Sequence, residues 1–200
     1  MRSLKIPAEK QRKIAIFGVL CGVAYLAWRG FEKSIETEAQ VVNENMLKYY
    51  GAKSESEIKD AITEIAGNYS YGANFTDLYN FLFEIVCAET NFGNAKDTTL
   101  ESGEGLTQFD KTTFTELYNL AQAEKKLPSE FYNLTYYDLR KNPRFSIWMA
   151  RYFVYKRIPH KIPSTIDGRA SDWKKYYNTI YGAGTVEHYK SMVSKWEHLR

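Results

Sequence analysis

The chain has 200 residues, 44% of them hydrophobic and 16% aromatic, with 16 Tyr and 11 Phe against 12 Gly and 5 Pro. That length holds one catalytic-sized domain with an appendage, and that composition excludes a disordered chain and a Gly-rich all-β design. A formal net charge of +3 calls for no nucleic-acid partner, and a mild positive balance suits an anionic polymer such as a cell wall.

Residues 14–28, IAIFGVLCGVAYLAW, carry no charge; Lys5, Lys10, Arg12 and Lys13 precede them and Arg29 follows. At about 1.5 Å per residue the run is short for a hydrocarbon core of about 30 Å. Lys13 and Arg29 can snorkel, and Trp28 suits an interface, so a single span is within reach. The denser basic flank predicts the N-terminus in the cytoplasm and the rest outside, in a bacterial envelope or a virion membrane. A cleaved signal peptide and a buried hairpin helix are the rival readings. Arg29-Gly30-Phe31-Glu32 offers no small-x-small cleavage site, which favours an uncleaved anchor.

Residues 31–50 read as a polar helical stalk, and 53–57 as a joint. Ser56, or Ser54 before it, can cap a helix over about 57–66, with a turn at 67–72. The expected organisation is an anchor over 1–30, a stalk over 31–72 and a catalytic domain over 73–200. Cys21 and Cys87 fall in different segments, so no disulfide is expected. His160, His188 and His198 are scattered and read as solvated surface. No Cys/His spacing points to a metal, and no cofactor is expected.

Asn74 or Thr76 can cap the next helix, starting near Asp77. Leu78, Phe81, Leu82, Ile85 and Val86 recur at spacings of three and four, the mark of one buried face. Glu89 is the next position on that stripe, whereas Glu84 points away from it and should be solvated. Gly93 is a plausible left-handed stop. Glu89 then sits in the last turn, where the helix dipole and the apolar face both disfavour an ionised carboxylate. Such an acid keeps its proton near neutral pH, as a general acid must. The competing reading is a Glu at the rim of the stripe, salt-bridged or wet.

Downstream, Thr113-Phe114-Thr115-Glu116 is a capping-box pattern opening a helix to about 125. Asn142-Pro143 is a cap followed by proline at the first helical position. Pro159 and Pro163 bracket a loop, Ser171 can cap a helix led by Trp173, and Thr185 the last one. No alternating strand run of useful length is present. The expected fold is all-α or mainly α, with at most a small hairpin within 98–109.

Glu89-Thr90-x-Phe92, followed after a loop by Gly105-Leu106-x-Gln108, resembles the lytic transglycosylases and their goose-type lysozyme relatives, which carry Glu-Ser-x-aromatic and then Gly-Leu-Met-Gln. The resemblance covers about 75–189. Residues 142–152 resemble the helix behind the cleft in that family, and Trp173 followed by Tyr181-Gly182-Ala183-Gly184 resembles its Trp-led helix ending in Tyr-Asn-Ala-Gly. Thr90 stands for the usual Ser, and Thr107 for the usual Met. The Tyr-Asn motif has two registers: Tyr181 fits the spacing from Trp173, and Tyr177-Asn178 keeps both residue types.

The resemblance implies a lysozyme-like α+β fold with minimal β and, as substrate, the glycan strands of peptidoglycan, cut between N-acetylmuramic acid and N-acetylglucosamine. It implies Glu89 as acid and then base, with Thr90, Gly105, Leu106, Thr107, Gln108, Tyr181, Tyr177 and Asn178 lining the substrate cleft. Glu101 and Glu104 can be read as a second carboxylate for a hydrolase or as solvated loop acids. A lysozyme-type hydrolase and a non-catalytic wall-binding protein are the alternatives, and the anchor with a compact lysin domain suits a phage-encoded protein. The oligomeric state is open.

Overall fold

The computed structural model describes residues 50–95, 103–180 and 182–200, all of which fall in one compact unit that begins at Asn45. The apolar run at 14–28, Cys21, Glu101 and Tyr181 lie outside the described residues. Among the described residues no helix is long and apolar enough to cross a membrane.

The described unit is mainly helical. Its α-helices are α1 (Glu55–Asn68), α2 (Phe75–Thr90), α3 (Lys111–Ala123), α4 (Pro143–Arg157), α5 (Ile166–Asp172) and α6 (Val186–Trp196). A π-helical stretch, Trp173–Asn178, continues directly from α5. The β structure among the described residues is one antiparallel bridge, Glu104 to Phe109, within the loop where a small hairpin is expected.

Side-chain caps set most helix starts. Ser54 accepts from the Glu57 amide and Asn74 from that of Asp77. Asn142 accepts from the Phe145 amide, with Pro143 in the first turn, and Thr185 from that of His188. Two starts differ from expectation. The cap of α3 is Asp110, which accepts from the Thr113 amide at 2.8 Å, so the helix begins before the Thr113 capping box. Thr165, not Ser171, caps α5, and Trp173 lies inside one continuous helical segment.

The unit also starts earlier than residue 73. Ile58, Ile62 and Ile65 of α1 are fully buried, and α1 packs on both α2 and α4. Its apolar face is core rather than stalk. The two central helices are α2 and α4: every residue from Phe81 to Ala88 and from Phe145 to Val154 is buried. α1 and α3 cover α4, while α6 covers the far side of α2.

That far side corrects the expectation for Glu84, which is completely buried rather than solvated. Its Oε2 accepts from Arg169 Nε (2.8 Å) and Tyr189 OH (2.8 Å), and its Oε1 from Arg169 Nη2 (2.7 Å) and Arg200 Nη2 (2.5 Å). A carboxylate is tolerated there because two guanidinium groups and a phenol replace its water.

Candidate functional site around Glu89

The helix that carries Glu89 ends one residue later. Asn91, Phe92 and Gly93 all adopt left-handed φ angles of 50°, 56° and 79°, so the turn begins before the expected stop at Gly93. The Asn91 amide closes on Cys87 O at 3.0 Å and that of Phe92 on Val86 O at 3.2 Å. Phe92 holds its unusual backbone because its ring is fully buried between Phe83 (5.0 Å) and Trp196 (5.4 Å). Asn91 Oδ1 accepts from Trp196 Nε1 at 3.0 Å, which fixes the same turn from α6.

Glu89 itself is partly exposed, unlike its buried neighbours Ala88 and Thr90. Its Oε1 accepts a hydrogen bond from Trp173 Nε1 at 2.7 Å. Withdrawal from water pushes the Glu89 pKa up to about 7, and the Trp173 N–H, which favours the ionised form, pulls the other way. Among the described residues Glu89 has no ion pair; it sits at the edge of the buried face, hydrogen-bonded to Trp173.

Trp173 is 1% exposed and its ring lies 5.1 Å from that of Tyr189. Trp173 and Tyr177, four residues apart on the π-helical stretch, both face the Glu89 region. Tyr177 donates to Thr107 O at 2.7 Å, and its ring meets Phe153 (4.8 Å) and Phe109 (5.7 Å). Burial holds the Tyr177 phenol well above its ordinary pKa, and the nearby Glu89 adds to this, so the phenol stays a neutral donor.

The 104–109 loop is pinned from three sides. Thr90 Oγ1 lies 3.0 Å from Leu106 O and 3.2 Å from Val86 O, and accepts from the Gly93 amide at 3.1 Å. Ser146 Oγ on α4 accepts from the Thr107 amide at 3.2 Å and meets the Thr107 hydroxyl at 2.9 Å, which in turn donates to Ser146 O at 3.0 Å. Tyr177 supplies the third hold, and Tyr136 OH adds a bond to Phe109 O at 3.0 Å.

Thr90, Leu106 and Thr107 are at most 1% exposed, so their side chains serve the loop's position rather than an open surface. Gln108 takes a left-handed φ of 50° and spends its amide on Gly105 O (2.8 Å) and Tyr50 OH (3.3 Å). Asn178 Oδ1 accepts from Lys174 Nζ at 2.9 Å. Thr90, Thr107 and Tyr177 thus hold the loop beside the end of α2, while Gln108 bonds the Gly105 carbonyl and the Tyr50 hydroxyl and Asn178 bonds the Lys174 side chain.

Gly105 sits where α4 comes closest. A Cβ there would lie 2.6 Å from Ser146 Oγ and 2.7 Å from Leu139 O, at a φ of 79°. Gly105→Ala is therefore expected to cost about 2–4 kcal/mol, from left-handed strain and overpacking together, read as a lower midpoint in denaturant unfolding.

Glu104 is neither free nor solvated. It takes Arg140 Nε on Oε2 at 2.7 Å and Arg140 Nη2 on Oε1. Among the described residues no other carboxylate perturbs Glu89, whose shift comes from burial and Trp173 alone. The arrangement can deliver one proton at neutral pH and recover it at the same atom.

Sequence reasoning named Trp173 only as the head of a helix and missed Ser146. A serine between Phe145 and Ile147, inside a fully buried run, is a buried polar group that must find a partner. That signal was present. Trp173→Phe keeps an aromatic ring, though a smaller one, and removes the N–H that favours the carboxylate. The Glu89 pKa, followed by NMR titration, is expected to rise in this variant.

Comparison of the chain with family models, with characterised proteins and with solved structures finds no match, so the geometry around Glu89 carries the functional argument.

Proposed function

We propose that this chain cleaves peptidoglycan glycan strands as a lytic transglycosylase, with Glu89 as general acid and then base. The observation that carries the reading is one partly exposed carboxyl at the end of a buried helix, bonded to Trp173 Nε1 at 2.7 Å, with a pKa near 7. Its protonated form is well populated at neutral pH, and its pKa is close to the operating pH that serves proton transfer in both directions.

In the proposed reaction the Glu89 proton passes to the glycosidic oxygen, and the bond from that oxygen to the muramic anomeric carbon breaks. The acetamido oxygen of the same sugar attacks that carbon, so no protein nucleophile is needed. Glu89, now a carboxylate steadied by the Trp173 N–H, takes the proton of the muramic 6-hydroxyl. The 6-oxygen then displaces the acetamido oxygen and closes a 1,6-anhydro ring. The proton balance is zero and no water is consumed. The locked Glu104 supports this over a hydrolase, which uses a second carboxylate to direct water.

The lysozyme-like fold name, the anchoring of the chain through residues 14–28 and the placement of the described unit outside the cytoplasm belong to the same proposal. Incubating isolated peptidoglycan with the full chain tests it: wild type should lower the turbidity of the suspension. Clearing at the wild-type rate by Glu89→Gln would remove Glu89 from the chemistry.

A further inference from the structure

A second concave site lies at the other end of α2. It is a cleft of about 740 Å³ between the start of α2, the C-terminal half of α4 and the loop that follows α4. That volume is in the usual range of small-ligand sites, roughly 300–1,000 Å³.

Arg151 forms part of its wall and is 2% exposed. The guanidinium donates from Nε to Tyr69 O at 2.7 Å and from Nη2 to Ser70 O. No described carboxylate pairs with it. This contrasts with the other buried arginine, Arg169, which lies bidentate on Glu84. Burial without a counter-charge pushes the Arg151 pKa down to about 10. Two backbone carbonyls and the face of Tyr71 take up part of the charge, and a buried, shifted cation on the wall of a cleft with no described anion paired to it makes that cleft a candidate anion site.

The rest of the cleft is built around that charge. Tyr71 and Tyr155 pack at 4.7 Å and lie 4.8 Å and 6.0 Å from the Arg151 guanidinium carbon, forming an aromatic wall. Lys161 lines the cleft as an exposed cation with no hydrogen bond or ion pair among the described residues. Asp77 is the one acid among the lining residues. Two cations and one carboxylate around an aromatic wall match a ligand with free carboxylates and a free amine.

The cleft is also tied to the Glu89 region. His160, on its rim, bonds Asp172 Oδ2 at 2.8 Å, and Asp172 directly precedes Trp173, the partner of Glu89. Along α2, Asp77 and Glu89 are twelve positions apart, about 18 Å. An extended peptide of about five residues has that reach.

We infer that this cleft binds the peptide stem of the wall polymer, with a stem carboxylate on Arg151 and Lys161 and a stem amine on Asp77. The ligand's identity rests on the peptidoglycan reading of Glu89, whereas the cleft's charge pattern does not.

The test uses the full chain and two readouts. The first is calorimetric titration with the sugar-free tripeptide alanyl-γ-glutamyl-lysine and with its fully amidated form. The acid should bind and the amide should bind at least roughly tenfold more weakly, as expected for loss of a charge-assisted pair. Lys161→Gln and Tyr155→Ala, both at exposed positions, should each weaken the acid. Because Arg151→Gln can fail to fold, Arg151→Lys is the companion variant and should weaken binding while keeping the charge. Equal binding of acid and amide, or no binding, overturns the inference.

The second readout is cleavage of intact peptidoglycan against strands stripped of their peptides. Faster cleavage of the intact polymer supports the inference, and equal rates oppose it. Peptide binding with no cleavage of either substrate would keep the cleft's carboxylate–amine selectivity and sink the Glu89 reading instead.

Discussion

Glu89→Gln is expected to lower the rate of glycan cleavage by about 100- to 10,000-fold, the range for losing a positioned general acid. The amide keeps an oxygen for Trp173 Nε1, so the loss is a loss of the proton and not of the fold. The same variant should be the more stable protein at neutral and alkaline pH. Glu89 has an ordinary pKa of 4.5 and a folded pKa of about 7. Between those values the folded chain holds a proton that the unfolded chain has released, so wild-type stability falls as pH rises through the interval. Below it both forms are protonated and the cost is absent. Above about pH 8 the partly buried carboxylate carries the full penalty, on the order of 2 kcal/mol once the exposed part of the side chain is allowed for. Thermal unfolding of wild type and variant from pH 4 to pH 9 checks this: the gap should open with rising pH and level off above about 8.

Glu84→Gln should have the largest effect on stability. The substitution leaves Arg169, with its side chain 3% exposed, without a carboxylate, and turns one of the two oxygens that accept from Arg169, Arg200 and Tyr189 into an N–H donor. Removing one partner of a buried pair costs about 3–5 kcal/mol. For a unit of this size that is a fall in Tm of roughly 10–15 °C. Combining Glu84→Gln with Arg169→Met should recover part of the loss, because the stranded cation goes too. An unchanged Tm in the single variant would mean that the cluster does not hold α2, α5 and α6 together. Activity is expected to survive at temperatures where the variant is folded, since none of these groups bonds Glu89.

The contrast between Glu84 and Glu89 shows what periodicity could and could not deliver. The stripe from Leu78 to Val86 correctly carried Glu89 to the end of a helix at the edge of the core. It misread Glu84 because a stripe identifies one buried face, and α2 is covered on both by α4 and α6. The carboxylate's partners, Arg169, Tyr189 and Arg200, lie 85, 105 and 116 residues away. No local pattern carries such a contact.

Caps were legible where the polar residue stands directly before an apolar run, as at Asn74, Asn142 and Thr185. They failed at Thr113 and Ser171, where Asp110 and Thr165 offered the same chemistry one turn or more earlier. In the 105–108 motif, spacing picked out a loop that packs against α2 and α4 but not what its side chains do. Thr107 and Thr90 turn inward to Ser146 O and Leu106 O, and Gly105 is there because α4 leaves no room for a Cβ. The Trp173–Glu89 bond joins residues 84 apart, a contact that no local pattern carries.

The most direct measurement is mass analysis of the muropeptides that the full chain releases from isolated peptidoglycan. A Glu89 that acts alone as acid and base predicts 1,6-anhydromuramic ends, each fragment lighter by one water than its hydrolysed counterpart. Reducing ends throughout would contradict the transglycosylase account and point to water as the acceptor. Release of no fragments at all by a folded chain would contradict the assignment of any glycan-cleaving chemistry to Glu89.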